Sequence, residues 1–175
     1  MGRYAAQTSV SVDKSKAEIE RTLRRYGAEA FMYGWEGNRA LIGFKLSGKS
    51  LRMELPLPKQ SEFVRTETGR QRQSQEAVIQ AWEQGCRQRW RALALVIKAK
   101  LEAVESGITT FEEEFLAHIV LPDNSTVGQF MAPQIEDVYE HREMPSLLPG
   151  LSTQVCMPEP EIVEGTCKST DVSAE

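Results

Sequence analysis

The stretch that most constrains the fold is residues 74–105. Ile79, Trp82, Cys86, Trp90, Leu93, Ile97, Leu101 and Val104 follow one another at steps of 3, 4, 4, 3, 4, 4 and 3. That spacing puts them in one stripe on an α-helix. Gln80, Gln84, Arg87, Arg91, Lys98, Glu102 and Glu105 fall on the opposite side. The run Ala92-Leu93-Ala94-Leu95-Val96-Ile97 is apolar all round, so cover from more than one side is expected there. Ser74 is placed to cap the start of the helix, and Ser106-Gly107 to stop it. A rod of this length needs a layer to pack against, and the preceding residues supply one.

Residues 28–58 read as a three-stranded antiparallel meander. Phe31, Tyr33 and Trp35 alternate in the first strand, and Ala40, Ile42, Phe44 and Leu46 in the second. Leu51, Met53, Leu55 and Leu57 alternate in the third. Glu36-Gly37-Asn38 and Ser47-Gly48-Lys49-Ser50 carry turn chemistry between them. Pro56 and Pro58 end the third strand, since proline has no ladder donor. Upstream, Thr8 to Val12 alternates as a short strand would. Ser15-Lys16-Ala17-Glu18 then forms a capping box for a helix carrying Ile19, Leu23 and Tyr26, ended by Gly27. Lys14, Lys16, Arg21, Arg24 and Arg25 decorate that helix and read as a solvated face. Residues 59–73 lose all periodicity and read as a basic, flexible loop. After Gly107, Thr109 and Thr110 are candidate caps for a short helix over Phe111 to His118, and a further helix from Thr126 to about Arg142, interrupted or restarted at Pro133, should bury Val127, Phe130, Ile135, Val138 and Tyr139. The pattern predicts one α+β domain over residues 1–150 and an acidic, mobile tail over 151–175.

Several stretches resemble a family of bacteriophage and prophage proteins. They are Tyr4-Ala5-Ala6-Gln7-Thr8-Ser9-Val10, Arg25-Tyr26-Gly27-Ala28 and Phe31-Met32-Tyr33-Gly34, then Arg87-Gln88-Arg89-Trp90-Arg91-Ala92-Leu93-Ala94-Leu95-Val96-Ile97-Lys98-Ala99-Lys100-Leu101-Glu102-Ala103-Val104-Glu105. Thr110-Phe111-Glu112-Glu113-Glu114-Phe115-Leu116-Ala117-His118 and Leu121-Pro122-Asp123 complete the match. The resemblance spans about residues 4–150. It implies a setting, the cytoplasm of an infected bacterial cell, and no catalytic residues.

Charge is divided along the chain. Residues 1–100 hold 19 Lys/Arg against 10 Asp/Glu, and residues 101–175 hold 2 against 15. A basic half attracts phosphates or acidic proteins unless the acidic half neutralises it. The arginines best placed for phosphate are Arg65, Arg70 and Arg72 on the loop and Arg87 and Arg91 on the long helix. Arginine offers a planar fork that matches phosphate oxygens. These five define an expected DNA or RNA contact, with Tyr33 or Trp35 as stacking surfaces. The alternative expectation is an inhibitor of a host defence or nucleic-acid enzyme. It would meet a basic host protein through Glu112, Glu113 and Glu114. Should the long stripe stay exposed, a homo-oligomer is a further partner to consider.

Enzyme chemistry has little to stand on. There is no glycine-rich phosphate loop and no nucleophile elbow. Glu114 and His118 are four apart, but no third metal ligand is evident. Cys86 lies on the apolar stripe, and three unpatterned cysteines suggest no disulfide framework. No apolar run is long enough to span a bilayer. The expectation is a non-enzymatic protein with no cofactor, no metal and no membrane anchor.

Overall fold

The computed structural model describes residues 8–66 and 68–142. Its elements run α1 (Val12–Arg25), β1 (Ala30–Glu36), β2 (Arg39–Leu46), β3 (Lys49–Pro56), α2 (Gln75–Glu105), α3 (Phe111–Phe115) and α4 (Val127–His141). Short 3-10 turns lie at Gln60–Phe63 and Leu116–His118. The fold is α+β, with an antiparallel sheet in the order β1-β2-β3. The chain divides into two compact units, Met1–Met131 and Ala132–Glu175. The described part of the second unit is the last part of α4, with Pro133 inside the helix. The boundary expected near Gly150, and the tail beyond it, lie outside the described residues.

Two tight turns set the sheet register. Gly37 has φ +55° in the first, while Ser47 and Gly48 have φ 53° and 72° in the second. Positive φ at the head of a two-residue loop suits the right-handed twist of a hairpin. Phe31 then faces Phe44, Tyr33 faces Ile42 and Trp35 faces Ala40. Ala40, Ile42, Phe44, Leu46, Leu51, Met53 and Leu55 are all buried. In β2 and β3 the alternation read in the sequence is thus the core face of the sheet, whereas in β1 Phe31 is half-buried and Tyr33 and Trp35 are exposed.

Helix α1 begins earlier than expected. Ser11 is its N-cap, with its hydroxyl accepting from the Lys14 amide at 3.2 Å. Ser15 lies inside the helix, fully buried, and its hydroxyl donates to the Ser11 carbonyl at 3.1 Å. The capping box at Ser15 is therefore displaced by the better-placed Ser11. Thr8 to Ser11 form no strand; the Thr8 carbonyl accepts from Gln84 Nε2 on α2.

Helix α2 is one unbroken rod of 31 residues, capped by Ser74 and ended where Gly107 turns to φ 71°. From Trp90 onward its buried face is the expected one: Trp90, Leu93, Ile97 and Leu101, joined by Ala94. In the first turns it rotates to Val78 and Gly85, leaving Ile79 exposed and Trp82 and Cys86 half-buried. The cause is the chain leaving β3, which folds back over this end. Phe63 is buried against Gly85, and Trp82 Nε1 donates to the Pro58 carbonyl at 2.8 Å. Val96 remains 44% exposed, so the all-apolar turn is not covered on every side.

Residues 59–73 also differ from a bare loop. Arg65 and Gln71 form a β-bridge, and the Arg72 amide donates to the Val64 carbonyl. Downstream, Thr110 and Glu113 form the capping box of α3, which plants the fully buried Phe115 edge-on against Phe44 at 6.2 Å. The Val120 amide then donates to the Ser50 carbonyl on the outer edge of β3. Helix α4 buries none of its residues: Phe130, Ile135 and Tyr139 are exposed and Val127 and Val138 half-buried. An amphipathic stripe identifies a face without specifying what covers it, and here the expected burial is not found.

Candidate nucleic-acid interface

The structure puts the five expected arginines in three situations. Arg65 and Arg70 are exposed on the 59–73 segment. Arg72 turns inward, its Nη1 donating to the carbonyls of Phe63 at 3.3 Å and Arg65 at 3.0 Å. It braces the segment's backbone, and these bonds occupy one arm of its fork. Arg87 donates to Gln84 Oε1 at 2.9 Å and sits 3.6 Å from the Glu83 carboxylate. Arg91 is bound by Glu18 across the α1–α2 interface. Both helix arginines do share a face of α2, but each meets a carboxylate of this chain.

The acidic triad is equally engaged. Lys49 Nζ donates to Glu112 at 2.6 Å, and Lys100 Nζ donates to Glu114 at 2.8 Å. Glu113 accepts from the Thr110 amide at 2.7 Å and from its hydroxyl at 2.8 Å. These bonds hold all three carboxyls below the usual range: Lys49 for Glu112, the Thr110 amide for Glu113, Lys100 for Glu114. A hydrogen bond to the charged form favours it.

A different basic surface emerges where α1 and α2 run side by side. Contacts Thr8–Gln84, Glu18–Arg91 and Tyr26–Glu102 ascend both segments together, so the two helices are parallel. Between them lies an open cleft of about 550 Å³. Lys14, Arg21 and Arg25 line it from α1 and Lys98 from α2, over a floor that includes Ala17 and Thr22. Glu18 is the one carboxylate in this lining among the described residues, and Arg91 already holds it. Arg25 donates to the Tyr26 hydroxyl at 2.7 Å and lies 3.7 Å from Glu102. Among the described residues no carboxylate pairs with Lys14, Arg21 or Lys98.

Sequence reading missed this cleft because it treated α1's charges as a solvated face. The available signal was spacing. Lys14, Arg21 and Arg25 stand seven and eleven residues along one helix, and Lys98 stands seven beyond Arg91. Those separations return to the same side of a 3.6-residue helix. Which two faces would meet was not in the pattern.

Other candidate chemistry is dispersed. Cys86 is half-buried, and that burial pushes its thiol pKa up, away from the reactive thiolate. His118 ends a 3-10 turn, and burial lowers its pKa. Its expected partner Glu114 is held by Lys100 instead. Among the described residues no three His, Cys, Asp or Glu side chains gather so as to hold a metal ion. None of the described helices is long and apolar enough to cross a membrane. Cys156 and Cys167 lie outside the described residues. Compared with protein-family models, curated proteins and solved structures, the chain gave no match.

Proposed function

We propose that this chain is a non-enzymatic accessory protein that contacts the phosphate backbone of nucleic acid, free or in a nucleoprotein, through the α1–α2 cleft. The phage-like setting implied by its sequence resemblance fits such a role. The observation that carries the reading is that Lys14, Arg21 and Lys98 line one cleft and that, among the described residues, no carboxylate pairs with any of them. Paired cations have little left for a ligand. Unpaired ones hold mobile counterions, whose release on phosphate binding drives association. Arg21 offers a fork and the two lysines compact charges, a set that fits several phosphates without reading bases. The inhibitor reading draws less support, because Glu112 and Glu114 already hold lysines of this chain.

The test is fluorescence anisotropy with labelled single-stranded DNA, RNA and duplexes across a salt series. Dissociation constants of roughly 10⁻⁶ to 10⁻⁴ M are expected for sequence-independent contact. Combining Lys14→Glu, Arg21→Glu and Lys98→Glu should abolish binding. Combining Arg65→Glu and Arg70→Glu should leave most of it. Wild-type protein that fails to bind at low salt, or a triple variant that binds unchanged, overturns the proposal.

A further inference from the structure

The free edge of β1 carries a second surface, independent of the cleft. The order β1-β2-β3 leaves one side of β1 without a partner strand among the described residues. The opposite edge of the sheet is partly closed, since Ser50 accepts from Val120. A two-residue turn makes Glu36 and Arg39 a hydrogen-bonded pair, and pairs alternate along an antiparallel ladder. Gly34 and Met32 therefore bond to β2, while Phe31, Tyr33 and Trp35 turn their amides and carbonyls outward. Such edges are normally blunted by lysine, proline or an inward charge. Residues 30–35 contain none of these, and Met32, Tyr33 and Trp35 are 71%, 49% and 76% exposed.

We propose that β1 pairs with β1 of a second copy about a two-fold axis through Tyr33, joining two sheets into one of six strands. The register follows from the outward groups: Tyr33 faces its own mate, Phe31 faces Trp35, and Met32 faces Gly34. This arrangement is self-complementary, as a two-fold interface requires. On the core face the aromatic row continues across the axis. On the other face Met32, whose Cγ and Sδ lie over Gly43 of its own β2, turns toward the mate's Gly34, where added volume meets nothing within 4 Å. No like charges are opposed within residues 30–35. A second copy fits better than an unrelated strand because each residue in the row meets its complement without a new sequence. With large side chains contributing about 150–250 Å² each, the exposed parts of Met32, Tyr33 and Trp35 set a ceiling of roughly 400 Å² per protomer. The pair then buries at most about 800 Å² of side chain plus the paired backbone, which sets it among weak, concentration-dependent dimers.

Sedimentation velocity from about 1 μM to 1 mM should show a monomer–dimer transition, with dissociation constants in the micromolar range or weaker. Met32→Lys, on an exposed face, should raise the dissociation constant at least tenfold with an unchanged melting curve. A covalent readout keeps the register testable should that variant unfold. Directly opposed residues of a hydrogen-bonded pair have Cα atoms about 5.5 Å apart, within disulfide reach. Tyr33→Cys should form a cross-linked dimer under mild oxidation much faster than Met32→Cys or the wild type with its own cysteines. A wild type that stays monomeric at about 1 mM overturns the proposal, and so does Tyr33→Cys cross-linking no faster than those controls.

Discussion

Replacing Glu18 by Gln should weaken the fold and strengthen anion binding together. Glu18 holds Arg91 across the α1–α2 interface, with side chains 33% and 24% exposed. Exposed ion pairs are worth about 0–1 kcal/mol, whereas breaking a fully buried pair costs about 3–5 kcal/mol. Partial exposure places this pair between them, at about 1–2 kcal/mol. For a chain of this size that lowers the melting temperature by roughly 3–6 °C. The same change removes the one carboxylate in the described cleft lining and frees Arg91 at its edge. Each additional phosphate neutralised steepens the dependence of log affinity on log salt by about 0.9 for duplex DNA. Between 50 and 200 mM salt, the variant's loss of affinity should exceed the wild type's by about 3.5-fold, and it should bind more tightly at the low end. Calorimetry and anisotropy on one preparation measure both. A variant that melts lower but binds with the wild-type slope would show that phosphate does not enter beside Glu18. A variant that melts unchanged would show that the pair contributes nothing to joining the helices.

Three further outcomes follow from the packing and titration. Gly85→Ala adds a Cβ that would lie 2.6 Å from Phe63 Cζ. It should destabilise by about 1–2 kcal/mol despite better helix propensity, yet stabilise by up to about 1 kcal/mol in a Phe63→Ala background, as denaturant titration of the four proteins would reveal. Phe115→Ala empties a fully buried site beside Phe44 and Phe111 and should cost about 3–5 kcal/mol by the same method. Acid should weaken the fold in two stages. His118 has its pKa lowered by burial, so the unfolded chain takes up a proton first as pH drops below about 6.5, and stability falls from there. Glu112 and Glu114 sit below the usual carboxylate range, so their contribution is full above about pH 4.3 and is lost as pH falls through their folded values. Melting curves from pH 7 to 2 should lose the first stage in His118→Asn and shrink the second when Glu112 and Glu114 both become Gln.

Legibility followed the range of the forces involved. The three strands, both turns, the ends of α2 and its buried face from Trp90 onward were readable, because each follows from period, turn chemistry or a capping side chain. The first turns of α2 were not, since the face they bury is chosen by Phe63 and Pro58, which arrive from a segment without periodicity. The start of α1 was misplaced because Ser11 and Ser15 are equally good caps in sequence. Only packing shows that Ser15 is wanted inside. The same limit governs the arginines. Arg87 and Arg91 were correctly placed on one face of a helix, but the partner of Arg91 sits 73 residues away. A charge's neighbours in space cannot be read from its neighbours in the chain.

The division of charge between the halves acquires a physical meaning from these pairings. Complete mutual neutralisation would have matched the acidic residues after 100 with the nearest cations anywhere on the fold. Instead Glu112 takes Lys49, Glu114 takes Lys100 and Glu102 lies beside Arg25. Each of these contacts fastens an element: α3 to the β2–β3 turn, α3 to α2, and the end of α1 to α2. These three pairings sit at structural joints, and among the described residues none reaches Lys14, Arg21 or Lys98. Charge held at a joint is unavailable to a partner, whereas like charges left together in a cleft raise the free energy of the unbound fold by mutual repulsion. A polyanion bound there would relieve that repulsion, which is the physical ground for proposing this trio, rather than the paired Arg87 and Arg91, as the phosphate contact.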